Sequence, residues 1–141
     1  MNSFKWNDKS SVGIEAMDND HKELFDLINS LYVGINQGFQ YAKLDEILLE
    51  LLRYSRYHFE AEESLMRKYN YPELQKHIDS HVKYVEKIGE IRKRFTDTDN
   101  DLVVLMKMQE FLREWWINHI ESTDKKYGEY LASIGVEYKV H

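Results

Sequence analysis

Residues 57–82 read YHFEAEESLMRKYNYPELQKHIDSHV, and the break inside this stretch decides the fold. Asn70-Tyr71-Pro72 interrupts it, because proline pushes the residue before it out of the α region. Each side of the break carries a histidine with a second polar residue four positions on: His58 with Glu62, and His77 with His81. That spacing places both members of a pair on one helix face. The stretch therefore predicts two helices joined by a tight turn, each with a polar pair near it.

Working outward, apolar residues recur at the helical period. The helix before the break spans 43–70 and carries Leu44, Ile47, Leu48, Leu51 and Leu65. The one after it spans 72–95, with Pro72 tolerated in its first turn and Leu74, Ile78, Val85 and Ile88 facing inward. A first helix, 18–37, carries Leu24, Ile28, Leu31 and Ile35, and Gly38 ends it. A fourth, 101–120, follows the polar turn Thr96–Asn100 and runs through Leu102, Leu105, Leu112 and Trp115 or Trp116. Residues 1–17 read as an extended arm and 124–141 as a short helix and tail. Short polar connections favour antiparallel neighbours. The expected architecture is all-α: one domain over 1–141, an up-down-up-down antiparallel four-helix bundle.

Composition narrows the function. The chain has 141 residues, 43% of them hydrophobic and 31% charged, enough for a core and a solvated exterior. Its net charge of -6 and the lack of a Lys/Arg cluster argue against nucleic acid. With no cysteine, disulfides, iron–sulfur clusters and thiolate zinc sites are excluded. No apolar run is long enough for a membrane span, and Met1 to Trp6 lacks a signal-peptide pattern, so a cytoplasmic location is expected.

Five of the six histidines continue the apolar stripes. His21 precedes Leu24 by three, His58 follows Leu51 by seven, His77 and His81 lie between Leu74 and Val85, and His119 follows Leu112 by seven. Singly, each has an ordinary reading as a core histidine or a helix-face pair. Together they bring imidazole from four helices to one level of the interior, where unpaired polar groups are costly. Glu60, Glu63 and Glu121 read as solvated charge, and His141 as an exposed tail residue.

Imidazole and carboxylate without sulfur suit iron, zinc, copper or manganese. Five histidines exceed the needs of one tetrahedral zinc, and the mixture points to two metals bridged by carboxylates. Glu62 is one bridge, and Asp124 the best candidate for a second. Five residues is too far round an ideal helix to share a face, so the helix should loosen or end between His119 and Asp124.

The set His21, His58-x-x-x-Glu62, His77-x-x-x-His81 and His119-x-x-x-x-Asp124 resembles the hemerythrin family, specifically its single-domain bacterial form. Gly13-Ile14-x-x-Met17-Asp18 before His21, Phe59, Glu63-x-Leu65-Met66 and Tyr71-Pro72 fit the same pattern. The resemblance implies two non-haem iron ions. His77, His81 and His119 would ligate one; His21 and His58 would ligate the other and leave a position open. Glu62, Asp124 and an oxo or hydroxo group would bridge them. Dioxygen would bind reversibly at the open position, in a pocket of Leu24, Phe59, Trp115 and Ile120, with Trp6 and Tyr127 nearby. Trp116 reads as core packing. The implied role is oxygen storage, delivery or scavenging by a binding protein that is not an enzyme. The alternatives are an oxygen or redox sensor and a di-iron peroxidase or oxidase. A monomer is expected, with room for an unidentified oxygen-accepting or redox partner.

Overall fold

The computed structural model describes residue 6 and residues 10–97 and 102–136; the remainder of the expected arm, turn and tail lies outside them. Four long helices carry the fold: α1 (Glu15–Asn36), α2 (Tyr41–Lys68), α3 (Leu74–Asp97) and α4 (Leu102–Asn118). A π-helical turn, His119–Asp124, continues α4 into a short α5 (Lys125–Ser133). The helix α1 packs on α2 and α4, and α3 packs on the same two, which closes a four-helix ring. This is the all-α up-down-up-down bundle that the periodicity predicts.

The helix ends follow from local chemistry. At the end of α1, Phe39 N–H donates to Gly34 C=O at 2.9 Å and Gly38 N–H to Ile35 C=O at 3.3 Å, with Gly38 at φ 71°. This closure needs a left-handed residue just past the helix, which glycine adopts without a Cβ clash. The end of α2 closes the same way through Asn70, at φ 54°, with Tyr71 N–H donating to Met66 C=O at 3.0 Å. Asparagine is among the side chains that tolerate this conformation. Pro72 then fixes the turn, and α3 begins only at Leu74, two residues later than the sequence suggests.

Other boundaries move as well. The first helix starts at Glu15 rather than 18, because Asp18 accepts from Ser11 Oγ at 2.6 Å and Val12 N–H at 2.9 Å and so folds the preceding segment onto the helix. Val12 and Ile14 are buried, so this part of the expected arm belongs to the core. It crosses α5 at Gly128, where any Cβ would collide with the Val12 carbonyl oxygen. The second helix starts at Tyr41, and α3 extends to Asp97.

The inward face of α3 is His77, His81, Tyr84, Ile88, Ile91 and Phe95, with Ile78 and Val85 on its flanks. On α4 the buried face is Val104, Leu105, Met108, Leu112 and Trp116; Leu102, expected inside, is exposed at the helix start. Trp116 is fully buried, and Trp115 is half-buried beside it. No helix among the described residues is long and apolar enough to cross a membrane.

Candidate metal centre

The four helices present seven titratable side chains to one end of the core. His21 comes from α1, His58 and Glu62 from α2, His77 and His81 from α3, and His119 and Asp124 from the π turn. All seven are buried. The turn is what admits Asp124. In an α-helix a residue five positions on points away from the first, whereas the wider π turn stacks i over i+5. The chain widens rather than ending, and both side chains reach the same interior.

The seven fall into two groups that share their carboxylates. Glu62, His77, His81, His119 and Asp124 form one, and His21, His58, Glu62 and Asp124 the other, with potential ligand atoms in each group within 4.8 Å of one another. Glu62 Oε1 lies 2.6 Å from His77 Nε2 and 3.2 Å from His81 Nε2, while Oε2 lies 3.3 Å from His58 Nε2. Asp124 Oδ1 lies 3.0 Å from both His77 and His119 Nε2, while Oδ2 lies 3.1 Å from His21 Nε2. Each carboxylate therefore offers one oxygen to each group.

Two observations test whether these residues fit metal ions. First, His21 and His58 Nε2 are 3.0 Å apart, and His81 and His119 Nε2 are 3.1 Å apart. Ligand atoms about 2.1 Å from one cation at right angles to each other are about 3 Å apart, so the spacing suits a shared ion. Second, all four carboxylate oxygens and His77 Nε2 are buried with no hydrogen-bond partner of acceptable geometry, despite the short contacts. Their atoms converge instead of pairing. Left so, the cluster would carry a heavy desolvation cost that bound metal would offset.

The electrostatics agree. Burial and Asp124 push the Glu62 carboxyl up, but His58, His77 and His81 outweigh them and hold it well below its usual range. Burial likewise raises Asp124, and His119, His21 and His77 bring it well below the ordinary value. Burial alone would lower His58, yet its bonds to Asp20 and Glu62 raise it to about 10. His77 is raised against burial to about 10 by Asp124 and Glu62. Burial lowers His119, against the pull of Asp124 and Glu62. The two carboxylates demand positive charge, which imidazolium supplies when no metal ion does.

The outer ring nitrogens bring in residues that the sequence reading passed over. His58 Nδ1 lies 2.9 Å from Asp20 Oδ2, and Asp20 Oδ1 accepts from Tyr54 Oη at 3.0 Å. His81 Nδ1 lies 2.9 Å from Glu63 Oε2, and His119 Nδ1 lies 3.2 Å from Ser80 Oγ. Glu63 is thus no solvated charge; its side chain is 17% exposed and aimed at His81. With Nδ1–H donating outward, Nε2 keeps its lone pair for a cation. Asp20 and Glu63 each adjoin a predicted ligand in sequence, the one signal that could have found them.

The expected pocket residues divide. Phe59 stacks on His81, with centroids 3.8 Å apart and planes 8° apart, and Trp115 stacks on His119 at 4.3 Å and 13°. Tyr127 meets His77 edge-on at 6.4 Å. These three lie against the three-histidine group. Leu24 and Ile120 are buried in the core, and Trp6 packs on Phe25 at 5.8 Å. The large ring that neighbours both His21 and His58 is Trp116, at 6.1 and 6.3 Å. Its place three residues before His119, on the same helix face, was the available signal.

Residues 12–131 match the family described as Hemerythrin HHE cation binding domain. The chain is 30% identical to a bacteriohemerythrin of Clostridium acetobutylicum over 127 residues, covering 88% of this chain and 98% of that one. It is 32% identical to a bacteriohemerythrin of Pseudomonas aeruginosa over 122 residues, covering 86% and 77%. It is 31% identical to a hemerythrin-like protein of Naegleria gruberi over 124 residues, covering 88% and 90%. A crystal structure of wild-type hemerythrin superposes with a TM-score of 0.82 at 28% identity, covering 93% of this chain and 99% of that one. A buried histidine–carboxylate cluster at the end of a matching bundle accompanies this similarity, and the chain belongs to the hemerythrin family.

Proposed function

We propose that this chain holds two non-haem iron ions between its four helices and binds dioxygen reversibly there. The carrying observation is the division of five imidazoles into three and two around a shared pair of carboxylates. His77, His81 and His119 would hold one ion, His21 and His58 the other, and Glu62 and Asp124 both. The second ion has one imidazole fewer, which leaves room for a small ligand. Two reduced irons would supply the electrons for reversible oxygen binding.

The chain's own residues favour carriage over consumption. Five neutral imidazoles and two carboxylates give less anionic stabilisation of high-valent iron than a carboxylate-rich set. Leu24, Phe59, Trp116 and Ile120 are all buried, and the Phe59 and Trp116 rings pack on the histidines. The Trp116 ring packs beside the two-histidine group, with centroids 6.1 Å from His21 and 6.3 Å from His58. Asp20 and Glu63 fix the ring orientations of His58 and His81 from outside. Storage, delivery and scavenging all use this one binding step. The test is a spectrum of the reduced protein before air, after air and after evacuation. A colour that appears and then bleaches supports oxygen carriage, whereas irreversible oxidation with peroxide released into solution contradicts it.

A further inference from the structure

One turn before His58 on α2, Tyr54 turns its hydroxyl to the carboxylate that backs His58. Tyr54 Oη donates to Asp20 Oδ1 at 3.0 Å, while Asp20 Oδ2 lies 2.9 Å from His58 Nδ1. Asp20 therefore holds a ring N–H and a phenol O–H at once, and the line from His58 ends at a half-buried tyrosine. Burial, and then the Asp20 charge, push the Tyr54 hydroxyl well above its usual range, so it stays a donor. The other outer partners differ. Among the described residues Glu63 has no hydrogen bond besides that to His81, and a neutral hydroxyl, Ser80, stands behind His119.

An ionised acceptor behind an imidazole N–H pushes electron density towards Nε2 and makes that nitrogen a stronger ligand. A carboxylate that accepts a further hydrogen bond has its charge held back and is the weaker base. Tyr54 thus opposes the push of Asp20 on His58, whereas nothing comparable opposes that of Glu63 on His81. A stronger nitrogen ligand favours the more highly charged state of a bound metal. The Tyr54 hydroxyl therefore bears on how readily the two-histidine group gives up electrons.

We propose that Tyr54 is a positioning residue for the two-histidine group: its bond to Asp20 weakens the push of Asp20 on His58 and keeps a metal held there easier to reduce. It acts through Asp20, with no hydrogen bond of its own to a histidine among the described residues. The proposal rests on the reading of His58 as a ligand through Nε2, which leaves the proton on Nδ1 facing Asp20. It deepens the proposed oxygen carriage. Dioxygen binding draws on the electrons of reduced metal, so Tyr54 favours release of oxygen over its retention.

The test is Tyr54→Phe, which keeps the ring that meets Tyr57 at 5.7 Å and removes only the hydroxyl. In a redox titration of the iron-loaded protein, the reduced-to-oxidised ratio at a fixed potential should fall about fivefold, the net worth of one hydrogen bond. In an Asp20→Asn background the same change should move that ratio less than about twofold, because the two residues act as one unit. Tyr57→Phe, at an exposed ring, should leave it unchanged. A second readout needs no iron. In the proton spectrum of the cobalt(II)-loaded protein, Tyr54→Phe should shift the ring N–H resonance that Asp20→Asn also moves. An unchanged or raised ratio in Tyr54→Phe, or a full fall that persists in the Asp20→Asn background, overturns the proposal. Iron content of the native protein keeps the two readings apart. A shifted N–H with fewer than two irons fails the di-iron reading alone, and two irons with an unshifted N–H and an unchanged ratio fail this proposal alone.

Discussion

The indole Nε1–H of Trp116 donates to the Tyr84 hydroxyl at 3.2 Å, and this bond fixes the ring that lies over His21 and His58. Tyr84 is itself held by Ser55, whose Oγ lies 3.1 Å away and donates to the Leu51 carbonyl at 2.8 Å. Trp116, Tyr84 and Ser55 are fully buried, so the network is worth keeping complete. Trp116→Phe keeps an aromatic ring but removes the donor. We expect a loss of about 1 kcal/mol and a thermal midpoint lower by a few degrees, with iron content unchanged. Thermal melting and iron analysis check this; a variant that loses iron would make Trp116 part of the ligand framework.

His77 touches both shared carboxylates, so its removal should be felt by both metal groups. His77→Ala should lose iron and fall markedly in stability, because Glu62 and Asp124 stay buried without their partner. Metal content and melting of the purified variant provide the measurement. Retained iron at wild-type stability would remove His77 from the ligand set.

Glu63 should matter without touching metal. Glu63→Ala leaves His81 Nδ1 without its acceptor, and we expect iron affinity to drop by about 10–100-fold with the helical content intact. Competition against a chelator measures it. Glu63→Gln, which keeps an acceptor oxygen, should recover part of the loss. Unchanged affinity in Glu63→Ala would return the residue to ordinary surface charge.

Metal loading should release protons. Without metal, His58 and His77 hold protons up to about pH 10, raised against burial by Asp20 and Glu62 for the first and by Asp124 and Glu62 for the second. A cation needs these rings neutral, so affinity should rise as pH climbs from neutrality towards that value. Calorimetry of the metal-free protein with cobalt(II), in buffers of different ionisation enthalpy, counts the released protons. A pH-independent affinity would contradict the raised values.

The bundle was legible in the sequence because its signal is local. Leu44, Leu48 and Leu51 repeat at the helical period, and Asn70-Tyr71-Pro72 breaks it where α2 ends. Histidines on those stripes pointed to the cluster, and the five-residue gap from His119 to Asp124 called for a helix that loosens or ends there, of which the chain takes the first. What stayed hidden depends on contacts across helices. Asp20 reaches from α1 to His58 on α2, and Glu63 from α2 to His81 on α3, pairings that no spacing within one helix reveals. Whether Trp115 or Trp116 faces the two-histidine pair depends on the rotation of α4. The start of α1 moved because Asp18 captured Ser11 and Val12, a tertiary fold-back that periodicity does not encode.

The proposed oxygen carriage depends on two irons held by one shared pair of carboxylates, Glu62 and Asp124, in each chain. Quantitative iron analysis of the native protein, joined to optical spectra through an anaerobic, aerated and evacuated cycle, is the decisive measurement. We expect about two irons per chain and a band that appears with air and disappears under vacuum. One metal per chain, bound zinc in place of iron, or a band that never reverses would contradict it.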